Sequence, residues 1–179
     1  VLLIGGGDVA ERKIDLLLKA NASVSIVSPK FTAYIEELFI NENISPVKDH
    51  YDIKYMETKR FAFVIAATDD EDLNEKIARD ANSKNILVNV VDKPSICDFI
   101  FPSILERGPI TVAVSTGGSS PVLARMLRTK LETLIPGAYG RLAKIVSSNR
   151  IPVRETLKNS KSNRIFWEQM LNGKFVELV

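Results

Sequence analysis

Two residue types that build metal centres and redox pairs are almost missing. The 179-residue chain has one cysteine, Cys97, and one histidine, His50. A single cysteine excludes an internal disulfide and fits a reducing compartment, so a cytoplasmic location is expected. A closed metal site needs several ligands, so no metal-binding residue is assigned. His50, beside Asp49 and Asp52 in a polar stretch, reads as a surface side chain, and Cys97 as a buried thiol. Charge of one sign is also scarce. Lys and Arg number 24 against 22 Asp and Glu, a net +2, too little to argue for a nucleic-acid partner. No apolar run approaches the ~18 residues of a membrane helix, so no membrane association is expected. The G-x-S-x-G elbow, the P-loop, internal repeats and low-complexity tracts are absent from the sequence. The chain opens inside an apparent strand, so preceding residues are expected, with a targeting segment among the options.

What is present is alternation. The segments "VLLI" (1–4), "ASVSIVS" (22–28), "FAFVIAAT" (61–68) and "ILVNVVD" (86–92) are short, apolar and rich in β-branched residues. Between them lie helical patterns at 9–20, at about 32–39 and at 73–84; the first carries Val9, Ile14, Leu17 and Leu18 on one face. Continuously apolar strands separated by helices predict a Rossmann-type, doubly wound parallel α/β sheet covered on both faces. The residues between Phe39 and Phe61 read as a polar connection, which makes "FAFVIAAT" the third strand.

The rhythm changes after Pro94. Residues 98–118 read as two strands joined by Arg107-Gly108-Pro109, and 120–135 as an amphipathic helix. Ser120 is a suitable N-cap and Pro121 suits the first helical position. Val122, Leu123, Met126, Leu127, Leu131 and Leu134 form the apolar stripe of that helix. Residues 138–179 read as polar helices with breaks at Pro152 and Gly173. Phe166, Trp167, Met170 and Leu171 share helical spacing and read as core.

The candidate site begins at the glycine turn. Gly5, Gly7 and Ala10 spell G-x-G-x-x-A directly after a strand and before a helix, the setting of a dinucleotide fingerprint. Gly5 permits a tight turn, Gly7 lets a diphosphate approach the backbone, and Ala10 brings the helix close to the strand. The other reading is a merely tight turn. The acid expected after the second strand, where it would bind the ribose 2′-hydroxyl, is missing; Ser28 and Lys30 stand there, and the choice between NAD and NADP stays open. In "AATDD" (66–70), Ala67 and Thr68 sit either against the cofactor or simply between a strand and a helix start. Asn89 and Asp92 of "NVVDKP" fall at the end of another strand, where a carboxylate can act as general base or can merely start a loop. In "STGGSSP" (115–121), Thr116, Gly117, Gly118 and Ser119 lead into a helix whose first amides favour an anion, with Arg125 and Arg128 following; a plainly capped helix with solvated arginines is the alternative.

Taken together, "GGGDVAERK", "AATDD", "NVVDKP", "FIFPSILERGPITVAVSTGGSSPVLARMLR" and the late "FWE" resemble the precorrin-2 dehydrogenase module of sirohaem synthesis, which occurs alone or as the front part of sirohaem synthase. The resemblance runs from Val1 to about Trp167, and "TGGSSPVLARMLR" is its most specific part. It implies three parts: an NAD-binding Rossmann domain (1–100), a dimerisation region of strands plus a helix (101–137) and a C-terminal helical domain (138–179). It implies a homodimer that oxidises the tetrapyrrole precorrin-2 to sirohydrochlorin with NAD⁺. Some members of the family also insert Fe²⁺ into the product and others leave that step to a separate chelatase. By the same resemblance Asp8 and Val9 lie at the cofactor diphosphate and Pro29 and Lys30 near its adenosine. Asp92 matches the catalytic aspartate. Thr116 stands where some members carry serine. Helix amides after "TGGSS", with Arg107, Arg125 and Arg128, would meet the substrate's carboxylates. The competing class is a non-catalytic NAD-sensing regulatory domain, which shares the glycine turn but has no need of "TGGSSPVLARMLR".

Overall fold

The computed structural model describes residues 1–40 and 43–172. It divides into two compact units, Val1–Ile100 and Phe101–Val179. In the first, β1 (Leu2–Ile4), α1 (Asp8–Lys19), β2 (Val24–Val27), α2 (Ala33–Glu37), β3 (Ile44–Val47), β4 (Phe63–Ala66), α3 (Glu71–Ser83) and β5 (Leu87–Val90) follow one another. The strands form one parallel sheet in the order β3-β2-β1-β4-β5. β1 and β2 are buried throughout, which is why their sequences read as unbroken apolar runs. The register pairs Ile4 with Val27 and Ala66, Val27 with Val47, and Ala66 with Val90. The last residues of all five strands therefore lie level, and the loops that leave them share one edge.

Helix α1 forms where Ala10, Ile14 and Leu17 recur at helical spacing and are buried, and α3 buries Ile77, Ala78 and Ala81 in the same way. A core cluster joins Leu2, Ile4, Val64, Ala66, Val88 and Val90 of the sheet to Ile77, Ala78 and Ala81 of α3.

Strand β3 lies in the stretch read as a polar connection. Ile44-Ser45-Pro46-Val47 looks unlike a strand because of its polar residue and its proline. It forms because it is the sheet's edge, where a missing N–H costs no ladder bond on the open side. "FAFVIAAT" is consequently the fourth strand in chain order, although it pairs with β1.

In the second unit β6 (Ser103–Arg107) and β7 (Ile110–Val114) form an antiparallel hairpin that turns at Gly108, whose φ is +60°. Then come α4 (Pro121–Leu134), α5 (Gly137–Leu157) and α6 (Ser160–Leu171). Ser120 caps α4 by accepting from the Leu123 N–H, with Pro121 at the first position as expected. Two expectations fail here. The chain does not break at Pro152, because α5 continues through it and ends at Lys158, which is left-handed at φ +46°. A proline removes one N–H and crowds one carbonyl, and this helix absorbs both. Nor is the Phe166, Trp167, Met170 and Leu171 face core. Helix α6 buries no residue, and the Phe166 and Trp167 rings lean edge-on against each other at 5.1 Å. Helical spacing reveals an apolar face but not what covers it. Phe166, Trp167 and Met170 are half-buried, and the stripe of α4 is more open still, with Val122 65% and Leu134 68% exposed and only Ala124 of the helix buried. The expected break at Gly173 lies outside the described residues.

Candidate functional site

The level strand ends create the site. The loops after β1, β2, β4 and β5 surround a cavity of about 1040 Å³ in the first unit. It opens where the chain order reverses, with β2 on one side of β1 and β4 on the other, the place where ligands settle on such sheets.

Its floor is the glycine turn, and the three glycines are there for different reasons. Gly5 has φ +120°, and a Cβ on it would lie 2.1 Å from the Ala67 carbonyl oxygen. A Cβ on Gly6 would lie 2.2 Å from the Lys30 carbonyl oxygen. Those two are imposed by the protein. Gly7 is not. Its φ of −95° suits any residue, and a Cβ there would meet nothing within 4 Å. Gly7 is the N-cap of α1, and no side chain caps that helix; the first helical bond runs from the Glu11 N–H to the Gly7 carbonyl. The amides of Asp8 and Val9 thus begin a helix whose positive end faces the cavity, with open space where a side chain would otherwise stand. A diphosphate fits that cradle.

The other predicted cofactor residues line the same cavity. Ser28, Pro29 and Lys30 leave β2, and Ala67 and Thr68 leave β4. Ser28 is buried and its hydroxyl donates to the Lys30 carbonyl at 2.7 Å, which fixes that turn. Thr68 is fixed by a residue that sequence reasoning missed. Asn74, on α3 and 5% exposed, accepts from the Thr68 hydroxyl (2.8 Å) and N–H (3.2 Å) and donates to the Thr68 carbonyl (2.9 Å). The N-cap of α3 is Asp70, which accepts from the Leu73 N–H. Asn74→Ala would remove the partner of the half-buried Thr68 N–H and carbonyl, while the Thr68 hydroxyl keeps its bond to the Asp70 carbonyl at 3.0 Å. A loss of roughly 1–3 kcal/mol is expected in chemical denaturation, and no loss would show that Asn74 holds nothing.

Asp92 stands exposed on the cavity wall after β5 with φ +60°, a left-handed conformation that aspartate tolerates better than most residues. The next residue anchors it. The Lys93 ammonium bridges Glu71 (2.9 Å) and Glu75 (2.8 Å) on α3, and those bonds, Glu75 first, raise its pKa and keep it charged. Lys13 on α1 is a second charge that sequence reasoning passed over. Burial and then Arg12 lower its pKa, while Cys97 and Asp92 oppose them. Cys97 donates to the Val90 carbonyl at 3.1 Å and packs partly buried against the β5 end.

The residues assigned to substrate fare differently. Asn89 does not line the cavity: it is 5% exposed, and its amide donates to the Phe99 carbonyl at 2.9 Å. Its side chain is spent on holding the chain that leaves the sheet. Arg107, in the second unit, donates to the carbonyls of Ile135 (3.1 Å) and Glu106 (3.0 Å) and so ties β6 to the end of α4. Thr116 closes its own turn, its hydroxyl donating to the Ser120 carbonyl and accepting from the Ser120 N–H, both at 3.0 Å. Gly117 and Gly118 take φ of +61° and +86°, and a Cβ on Gly117 would meet nothing within 4 Å. The Ser119 N–H donates to the Thr116 carbonyl. Arg125 is exposed, whereas Arg128 pairs with Glu132 at 2.6 Å. Unlike α1, helix α4 has a side-chain cap of its own, so fewer of its first amides remain for an anion.

A bare helix start behind a backbone-packed glycine turn, at the reversal of a parallel sheet, is the construction of a dinucleotide-binding protein of the NAD(P) kind. A family profile described as putative NAD(P)-binding matches residues 1–103, one for the central part of sirohaem biosynthesis proteins matches 107–134, and one for the sirohaem synthase dimerisation region matches 138–179. The chain belongs to this sirohaem biosynthesis family. The dimerisation profile falls on the stretch read as the helical tail, and the hairpin with α4 carries the central one. Curated relatives include the siroheme synthases of Psychrobacter sp. (strain PRwf-1), 46% identical over 100% of this chain and 36% of the relative, and of Actinobacillus succinogenes, 49% identical over 100% and 37%. The chain spans about a third of the length of these relatives. The solved structure of SirC, precorrin-2 dehydrogenase, shares the fold with a TM-score of 0.81 at 21% identity, over 98% of this chain and 85% of that one.

Proposed function

We propose that the chain oxidises precorrin-2 to sirohydrochlorin with NAD⁺, in the cytoplasm and as a homodimer. The observation that carries the cofactor half is Gly7: the protein has no packing reason for a glycine there, and a diphosphate supplies one. The substrate half is supported by the family, by the names of the relatives and of the structural neighbour, and by a carboxylate at the nicotinamide end of the cavity.

Bound NAD⁺ supplies the hydride acceptor. The residues of the chain do the rest. The Asp8 and Val9 amides hold the diphosphate, and the turn at Ser28–Lys30 receives the adenosine. Ala67, buried and small, lets the ring end approach the sheet edge beside Thr68. The macrocycle loses one hydrogen as hydride and a second as a proton, and the Asp92 carboxylate accepts that proton before passing it to water. The ion pairs of Lys93 with α3 hold Asp92 in place, and alignment of two planar partners contributes much of the acceleration. Arg125, exposed on α4 of the second unit, carries the sign of charge that a substrate's acidic side chains attract. Among the described residues no cluster of three or more His, Cys, Asp or Glu can hold a metal ion, so any Fe²⁺ handled here is a substrate bound chiefly by the macrocycle.

Incubation of the purified chain with precorrin-2 and NAD⁺ tests this reading. NADH absorbance should rise in step with the sirohydrochlorin spectrum. NAD⁺ binding without turnover would mark a sensing domain instead. Addition of Fe²⁺ to the product, followed by its spectrum, tests metal insertion separately.

A further inference from the structure

We infer that the adenosine end of the cavity is a 2′-phosphate subsite with Lys30 as its specificity-determining cation, so that the enzyme takes NADP⁺ alongside NAD⁺; this rests on the dinucleotide reading of the same cavity. All the acids on the cavity wall, Asp8, Asp69, Asp70, Glu71 and Asp92, belong to α1, the β4–α3 loop, the start of α3 and the loop after β5. The wall formed after β2 and β3 carries no carboxylate. It carries Lys30 and His50. A site that selects the ribose 2′-hydroxyl places an acid at the end of β2, and the residue there, Ser28, has already given its hydroxyl to the Lys30 carbonyl.

Lys30 is also built in. Its carbonyl accepts the Ser28 hydroxyl and lies so near Gly6 that a Cβ could not pass between them. Two residues on, the Thr32 N–H donates to the Gly6 carbonyl at 3.0 Å. The backbone that bears Lys30 is therefore locked to the glycine turn, while its side chain is exposed at the cavity and, among the described residues, in no ion pair. His50 lies three residues past Val47, as Lys30 lies three past Val27, and those two residues are paired in register. Both bases thus leave neighbouring strand ends on one side. Several acids around His50 and on α2 and α3 are engaged: Asp49 accepts the Tyr55 hydroxyl and the His50 N–H, Asp52 accepts the Lys54 N–H at 2.9 Å, Glu36 faces Lys48 at 3.8 Å, and Asp80 accepts the Tyr51 hydroxyl at 3.0 Å. A dianionic 2′-phosphate would meet an ammonium and an imidazole donor with no facing carboxylate.

The test is direct binding, measured by calorimetry, of NAD⁺ and of NADP⁺ to the wild-type chain, Lys30→Ala, Lys30→Glu and His50→Gln, with melting curves to confirm folding. Wild type should bind NADP⁺ at least as tightly as NAD⁺. Lys30→Ala should lower the NADP⁺-to-NAD⁺ affinity ratio by about tenfold, Lys30→Glu should lower it further, and His50→Gln should lower it less. A purely structural Lys30 would shift both affinities together and leave the ratio alone, which would overturn the inference. So would wild type binding NADP⁺ tenfold or more weakly than NAD⁺. Binding of neither nucleotide would overturn it by removing the dinucleotide reading itself, and that outcome is distinct from an unchanged ratio.

Discussion

Asp92→Asn is expected to slow precorrin-2 oxidation by about 10²–10⁴-fold, the range for loss of a positioned general base, with the fold and cofactor binding retained. The amide keeps the size and hydrogen-bonding outline of the carboxylate but cannot take up the proton that leaves with the hydride. The choice of asparagine matters because residue 92 sits at φ +60°, where asparagine is also at home and alanine is strained. The Lys93 bridge to Glu71 and Glu75 is untouched by the change, so the loop keeps its anchor. Stopped assays with saturating NAD⁺, together with a melting curve, check this. Turnover within a few-fold of wild type would remove Asp92 from the chemistry.

The second large effect is a contrast between Gly7, where a Cβ would meet nothing within 4 Å, and Gly5, where it would meet the Ala67 carbonyl. Gly7→Asn should leave the protein as stable as wild type or slightly more so, because asparagine is a favoured N-cap and α1 has none. Its side-chain oxygen would then accept from the first-turn amides that the diphosphate needs, and NAD⁺ affinity should fall about 100-fold, equivalent to roughly 3 kcal/mol. Gly5→Ala should do the reverse in order of cause. At φ +120° and 2.1 Å from the Ala67 carbonyl, the new methyl group forces the β1 and β4 ends apart, and a loss of roughly 3 kcal/mol or more in stability is expected. Thermal melts and NAD⁺ titrations on both variants separate the outcomes. A Gly7→Asn protein that binds NAD⁺ normally would mean that no phosphate rests on that helix start.

Much of the first unit was legible because burial on both faces writes itself into the sequence. β1, β2, β4 and β5 are apolar runs, and α1 and α3 carry their periodic faces where the structure buries them. β3 was not legible, since an edge strand needs neither continuous apolarity nor every N–H, and Pro46 argued against it. The glycine turn was readable as a pattern, but only the geometry separates Gly5 and Gly6, which packing demands, from Gly7, which it does not. Asn74 carried no signal: its three bonds to Thr68 depend on how α3 leans against the β4 end. Asn89 and Arg107 show the converse. Polar residues near a sheet edge or a basic residue near a turn look available in sequence, yet backbone carbonyls claim both. The stripe of α4 and the aromatic face of α6 were visible as apolar spacing, but a single chain cannot say what lies against them. Here the α4 stripe is largely exposed and the α6 face is only partly covered, in stretches matched by the central and dimerisation profiles of the family.

The most direct test of the account is a crystal structure of the protein with NAD⁺. The diphosphate is expected over Gly7, accepting from the amides at the start of α1, with the adenosine toward Lys30 and the nicotinamide toward Asp92. A nucleotide lying elsewhere, or density at Gly7 that remains solvent at saturating NAD⁺, would contradict it.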